Sequence, residues 1–306
     1  MIDLVFLAYN KFDETIKRCL DSLKDNELHG FSVSIVDNGS TDGTSRDLDA
    51  YTITRNLSTP FHIKENCGYA CGMNKGASLG NGEWIVLISS DIIFFPNSLK
   101  RMKSFLASTE SDIVGFATNN AGTGQKIINT LDPLDATEIA DQIHSAPTNL
   151  EIPIYRADFF CVAIKRYCWE KLNGLDTKFG KGYYEDFDFS MRARYSDFKI
   201  CMTDDVFIGH QGSATLKEDP EQSNLIKKNK AIFLDRHPTA KLLSDRQENL
   251  DILSFYSDRL LATNSNAIAH RINLRLAYAY DNMPKSFFKR IIYQAKIKAL
   301  MKKLDT

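Results

Sequence analysis

The sequence has no long apolar run, no cysteine pair at zinc-finger spacing and no excess of either charge. Each absence removes a class of protein. No stretch reaches the roughly 18 consecutive apolar residues of a membrane-spanning helix. The opening MIDLVFLAYNKFDE has an acid at Asp3 and too short an apolar centre for a secretory signal. It reads as a first buried strand, so a cytoplasmic location is expected. Lys and Arg number 38 against 39 Asp and Glu, a formal net charge of -1, so no global field marks nucleic acid as a partner. The six cysteines, at 19, 67, 71, 161, 168 and 201, include no CxxC. Cys67 and Cys71 lack a second Cys or His pair to complete a zinc site. Reduced, partly buried thiols are expected throughout. What remains is a 306-residue chain, 43% hydrophobic and 25% charged. That is ordinary for a globular protein with one large domain, or one domain and an appendage.

Short apolar runs alternate with helical spacing through the first two-thirds. Strands are expected at 3–8, 31–36, 61–64, 83–88, 112–116, 158–164 and 199–209. Helices are expected at 15–23, where Ile16, Leu20 and Leu23 recur at helical spacing, and at 70–79. This rhythm predicts an α/β fold with a mostly parallel sheet flanked by helices. In such sheets the ligand crevice lies beyond the carboxyl ends of the strands. The stretch 118–153 reads as a long polar connection with one short helix near 135–144. After about residue 216 the pattern is helical only.

Five stretches at strand ends or helix starts carry polar chemistry. Val36-Asp37-Asn38-Gly39-Ser40-Thr41-Asp42 ends the second strand, where an acid before a glycine turn holds a base or ribose, or simply forms an Asx turn. Asn66-Cys67-Gly68-Tyr69 through Asn74 opens a helix. Its glycines admit a phosphate at the helix N-terminus, with Asn66 as cap, or else allow close packing on the sheet. Ser89-Ser90-Asp91 follows the fourth strand, and a carboxylate there is either a divalent-cation ligand or a helix cap. Tyr183-Tyr184-Glu185-Asp186-Phe187-Asp188 crowds three acids at one helix entry. This pattern suits a sugar-stacking wall beside a general base, or plain complementarity to the helix dipole. His210 lies just past a further apolar run, either structural or facing the same crevice.

In order and spacing these stretches resemble the inverting glycosyltransferases of family 2, which have the GT-A nucleotide-diphospho-sugar transferase fold. The nearest flavour is the rhamnosyltransferase-like branch. The resemblance rests on VDNGSTD at 36–42, NCGYACGMN at 66–74, SSDIIFFP at 89–96, LNGLDTKFGKGYYEDFDFSMR at 172–192 and GHQGSAT at 209–215. It covers a GT-A domain over 1–215 and leaves a helical C-terminal extension over 216–306. It implies a hexosyl- or deoxyhexosyltransferase that uses a nucleotide-sugar donor and a glycan or lipid-linked acceptor in surface polysaccharide biosynthesis. Asp37, Asn38, Asp42, Asn66, Gly68, Tyr69, Asn74, Ser90 and Asp91 would form the donor pocket. Asp91 and His210 would hold a divalent cation, Mn2+ or Mg2+. Asp186 would be the general base with Glu185 beside it, and Tyr184 and Asp188 would meet the acceptor. Ser89 departs from the family, standing where the first acid of its metal motif is common. It leaves open a catalytically silent nucleotide-sugar or glycan-binding relative; a nucleotidyltransferase is the other alternative.

The segment Lys285–Lys303 holds seven Lys or Arg and no acid, with Phe287, Phe288, Ile291, Ile292, Ala295, Ala299 and Leu300 near one face. A basic amphipathic helix of this kind makes peripheral membrane contact, or packs on its own domain or on a second subunit in a homo-oligomer.

Overall fold

A computed structural model describes residues 1–212 and 220–304. Its nine strands are β1 (Ile2–Ala8), β2 (Phe31–Asp37), β3 (Phe61–His62), β4 (Trp84–Ser89), β5 (Ile92–Phe94), β6 (Ile113–Thr118), β7 (Ile152–Pro153), β8 (Cys161–Lys165) and β9 (Ile200–His210). They form a single sheet in the order β3-β2-β1-β4-β8-β6-β9-β5, with β7 pairing β9. β1 to β4, β6 and β9 share one direction, while β8, β5 and β7 run against their neighbours. The expected mostly parallel α/β sheet is present, and each expected strand appears with its ends shifted by a few residues.

Helices α1 (Lys17–Asp21), α2 (Thr44–Thr54), α3 (Tyr69–Ala77), α4 (Ser98–Ser108), α5 (Thr137–Ser145), α6 (Arg166–Lys171) and α7 (Glu185–Tyr195) connect the strands. α8 (Pro220–Arg236), α9 (Asp245–Thr263), α10 (Asn266–Asp281) and α11 (Phe287–Leu304) follow. Periodicity missed α2, α4 and α6. It also missed β5 and β7, whose two or three residues are too few to show a period.

Successive side chains of a strand point to opposite faces, so β1 feeds two cores. Leu4 and Phe6 join Val86, Leu20, Leu99 and Phe105 on one side. Val5 joins Ile85, Leu87, Ala70 and Met73 on the other, and that layer continues into Leu253 and Tyr256 of α9 and Ile272 of α10. The C-terminal helices therefore share the core of the sheet. The expected boundary at 215/216 lies outside the described residues. Gly72 and Gly76 bring α3 against β1: a Cβ on them would stand 2.4 Å from Leu7 Cδ1 and 2.2 Å from Val5 Cγ1.

β9 anchors α9 and α10 through charge. Opposite β6 its register jumps from Phe116↔Thr203 to Ala117↔Phe207, which bulges Asp204–Val206 out of the ladder. Asp205 accepts from Thr148 N at 2.6 Å and Asn149 N at 2.5 Å. Asp204 accepts from Tyr256 Oη at 2.5 Å and from Arg271 Nε at 3.3 Å, and Arg275 Nη2 lies 3.7 Å away. Arg271 also donates to the carbonyls of Ile143 and Ala146, both at 3.0 Å, closing the carboxyl end of α5. Arg271 and Arg275 are fully buried. An arginine is tolerated there because its planar fork meets several fixed acceptors at once.

Replacing Arg271 by Ala leaves the buried Asp204 carboxylate with only Tyr256 and the more distant Arg275, and frees two helix-end carbonyls. The expected loss is about 3–5 kcal/mol of unfolding free energy, the range for breaking a buried ion pair. Urea denaturation measures it, and a loss below about 1 kcal/mol would contradict the anchoring role.

Candidate functional site

The carboxyl ends of β1, β2 and β4 open onto a cavity of about 400 Å³ lined by Tyr9, Lys11, Asn38, Asn66, Tyr69, Ser89, Ser90, Asp91 and Lys181, among others. A second cavity of about 390 Å³ is lined by Tyr183, Tyr184, Glu185, Asp186 and Phe187, and shares Tyr69 and Lys181 with the first. The two form neighbouring compartments with a common wall. A third cavity, of about 760 Å³, lies by Trp169, Gly174 and Arg192, and Asp37, Asp91, Asp186 and His210 do not border it. We place the site where the carboxylates converge, because volume alone does no chemistry.

β5 pairs β9 antiparallel with Ile92 opposite His210, which brings Asp91 next to the histidine. His210 Nε2 stands 3.3 Å from Asp91 Oδ2, while its Nδ1 lies 2.6 Å from the Asn120 carbonyl. A carbonyl only accepts, so Nδ1 carries the proton there. In the neutral ring the Nε2 lone pair then faces a carboxylate oxygen. Only a proton or a cation between them relieves that opposition. Burial pulls the His210 pKa down, but the Asp91 carboxylate outweighs this and raises it. A histidine whose far nitrogen donates to a backbone carbonyl is also the usual arrangement of a metal ligand. The imidazole stacks on Phe160 with ring centroids 5.1 Å apart, which fixes its plane. The pair fits a divalent cation as a two-ligand partial site, since no cluster of three His, Cys, Asp or Glu suited to a metal occurs among the described residues.

Glu185 and Asp186 begin α7. The chain enters it through Tyr183 and Tyr184, at φ 71° and 76°. This left-handed entry is held by Asn229 of α8, whose amide nitrogen donates to the carbonyls of Phe179, Gly182 and Tyr183 at 2.8–3.0 Å. Burial raises the pKa of Glu185, and the neighbouring Asp186 raises it further. Burial also raises that of Asp186, with the Arg156 guanidinium opposing. Glu185 Oε2 is buried without a hydrogen-bond partner. Arg156 lies 3.6 Å over the Phe187 ring and pairs with Asp158 at 2.5 Å.

Several expected site residues are spent elsewhere. Asp37 is buried and accepts from Ser40 N and Oγ, Ser45 Oγ and His62 Nδ1 at 2.5–3.1 Å. Burial alone would raise its pKa, but these hydrogen bonds lower it. It organises the loop and does not line the cavity. Asp42 accepts from Lys11 N at 2.7 Å and Thr44 N at 3.1 Å, tying that loop to the one after β1. Asn74 closes a pair of hydrogen bonds with Leu175, at 2.8 and 2.9 Å, and lines the large cavity instead. Asp188, expected at the acceptor, is buried among Arg192 (2.7 Å), His237 (3.0 Å) and Arg236 (3.3 Å), joining α7 to α8.

The start of α3 borders the cavity through Asn66 and Tyr69. Gly68, not Asn66, is the cap, and Asn66 Oδ1 accepts from Gly68 N at 2.9 Å. Asn38 and Asn66 line the cavity. The expectation of six reduced thiols is corrected: Cys67 and Cys71 form a disulfide with Cα atoms 5.7 Å apart, while the other four are free and buried. Gly68, at φ 90°, turns the chain so that Cys67 returns over the first turn of α3.

Lys11, Lys181, Arg156 and Asn229 were not anticipated. Lys181 lies within the quoted 172–192 stretch, but nothing in the sequence near the other three marks them.

The chain is similar to known glycosyltransferases in sequence and fold. The family model described as "Glycosyl transferase family 2" matches residues 3–171. The chain is 25% identical over 114 residues to glycosyltransferase GlyG of Streptococcus pneumoniae, covering 37% of this chain and 38% of that protein. Matches to the first curated relatives span 38% to 58% of those proteins' lengths. The mannosyltransferase PcManGT of Pyrobaculum calidifontis, solved with GDP-Man and Mn2+, superposes with a TM-score of 0.59 at 16% identity, over 99% of this chain and 86% of that one. TarS 1–349 of S. aureus with UDP-GlcNAc superposes at 0.52 and 16% identity, over 99% and 82%. The fold is the GT-A fold.

A Cβ at Gly68 would lie 2.0 Å from the Gly180 carbonyl oxygen, and its φ of 90° with ψ of 167° is a region open essentially to glycine alone. Gly68→Ala is expected to lower stability by at least about 2 kcal/mol and to displace the loop that leads into Glu185. Urea unfolding checks the first, and wild-type stability in this variant would refute the tight contact.

Proposed function

The chain belongs to glycosyl transferase family 2, and from that premise we propose that it is an inverting enzyme moving a hexosyl or deoxyhexosyl group from a nucleotide-diphosphate sugar to an acceptor hydroxyl in surface glycan synthesis. One observation carries this reading. The compartment holding Asp91 and Lys11 shares Tyr69 and Lys181 with the compartment holding Glu185 and Asp186. A donor diphosphate and an acceptor hydroxyl can thus meet at one wall.

Asn38, Asn66, Tyr69 and Ser90 would line the nucleotide side, with Lys11 and Lys181 opposite the diphosphate charge. Asp91 and His210 would hold Mn2+ or Mg2+, which when bound stabilises the departing diphosphate. Ser89 lines the same cavity and offers a neutral hydroxyl where an acid is common. Asp186 would accept the proton of the acceptor hydroxyl as that oxygen attacks the anomeric carbon on the face opposite the diphosphate. Glu185, the more deeply buried of the two, would keep its own proton near neutrality and leave the negative charge on Asp186. Tyr184 stacks with Phe187 and Phe233 at 4.8 and 5.6 Å and would present an aromatic edge to the acceptor.

Incubation with a panel of nucleotide sugars and Mn2+ should release nucleoside diphosphate in the presence of acceptor. Donor binding without release would establish a silent binding protein; release of pyrophosphate in a parallel incubation with a nucleoside triphosphate and a sugar 1-phosphate would establish a nucleotidyltransferase. Asp186→Asn should lower kcat by about a hundred- to ten-thousandfold while leaving donor affinity unchanged; wild-type turnover refutes the base assignment. Because burial raises both carboxyls, the acid limb of kcat/KM should lie well above the ordinary aspartate value of about 3.9. Activity is present above that raised value and lost as pH falls through it. A limb at or below about 4 would show that the titrating base is not this pair.

A further inference from the structure

α11 is apolar on two opposite faces. Tyr293 and Ile297 are buried against the body, with Leu300 and Met301 partly so, which moves Leu300 off the outward face expected for it. Phe288, Ile291, Ile292, Ala295 and Ala299, spaced three and four apart, point the other way. They are exposed, at 77% for Phe288, 48% for Ile291 and 59% for Ile292, and Phe287 beside them is 70% exposed. Scattered single apolar residues on a surface need no explanation, but a contiguous stripe with two aromatics does.

The charge around the stripe has one sign. Lys285, Lys289, Arg290, Lys296, Lys298, Lys302 and Lys303 are all exposed, and residues 282–304 contain no acid. Among the described residues only Lys303 of these seven has a carboxylate partner, Asp258. By helical spacing Lys289 and Lys296 border the stripe on one side and Lys298 on the other. The whole chain is balanced at -1, so this is a local concentration and not a general basicity.

We propose that α11 docks the protein on an anionic phospholipid surface, its outward stripe entering the acyl boundary while the bordering lysines reach up to the headgroups. The charge selects this occupant. A second copy meeting the stripe by twofold symmetry would bring two such sets of bases together, and like charges across an interface are unfavourable. No helix among the described residues is long and apolar enough to cross a membrane, so the contact is peripheral. The inference is independent of the proposed sugar transfer, and its readout is binding.

The test is flotation of the full chain with vesicles of phosphatidylcholine alone, or with about one third phosphatidylglycerol. The expected result is binding to the anionic vesicles at low salt, loss at high salt, and little binding to the neutral ones. Phe288→Ser with Ile291→Ser, and separately Lys298→Glu with Lys302→Glu, should each weaken binding at least roughly tenfold. All four side chains face away from the body, so the thermal midpoint should not change. The proposal is overturned by equal binding to both vesicle types, by no binding at low salt, or by undiminished binding in either folded double variant. It is equally overturned if light scattering shows a dimer that the Phe288→Ser, Ile291→Ser protein cannot form.

Discussion

The bulge in β9 sets the position of much else. Three residues, Asp204 to Val206, leave the ladder with β6, and two of them are adjacent buried aspartates. An ionised carboxylate in a core is costly unless it is paired and hydrogen-bonded, so the bulge is viable only with its partners in place. Those partners are Arg271 and Arg275 of α10, Tyr256 of α9 and the backbone at Thr148 and Asn149. Beyond the bulge β9 runs on to His210, so the same strand that secures the C-terminal helices delivers the histidine beside Asp91. Stability and site geometry are thus linked through one irregular strand.

The fold was legible because β1, β4 and β6 are nearly continuous apolar runs, the signature of strands covered on both faces. Asp91 and His210 were legible as residues just past such runs, and Asp186 only through the helix entry that the family resemblance singles out. What the sequence could not reveal was how each acid is used. Asp37 and Asp91 both stand at strand ends, but Asp37 is followed by Ser40 and Ser45, whose hydroxyls fold back onto it. Asp188 sits four residues before Arg192, a helix pair visible in the sequence, yet its other partners, Arg236 at the end of α8 and His237 just after it, are nearly fifty residues away. Long-range pairing leaves no local signal. The Cys67–Cys71 disulfide is a similar case, since a four-residue spacing closes only because Gly68 reverses the chain between them.

The opposition of His210 Nε2 and Asp91 Oδ2 is the clearest electrostatic statement the molecule makes. Two acceptors held face to face by backbone pairing on one side and a carbonyl on the other form a preorganised gap of positive demand. Its neighbours Ser89 and Ser90 are neutral, while Lys11, Glu14 and Lys181 bring charge to other parts of the same cavity.

Asn229 carries a consequence for how such a protein diversifies. Its single amide nitrogen has two hydrogens to serve three carbonyls, those of Phe179, Gly182 and Tyr183, and through them it sets the left-handed approach to Glu185. The shape of the compartment at Tyr184 is therefore governed from α8, and both its wall at 181–187 and that helix lie beyond residues 3–171, the span matched by the family model. Sequence drift in that helix can re-aim the compartment wall while the carboxylates themselves stay unchanged. Divergence of this compartment need leave no trace in residues 3–171, by which the family is recognised.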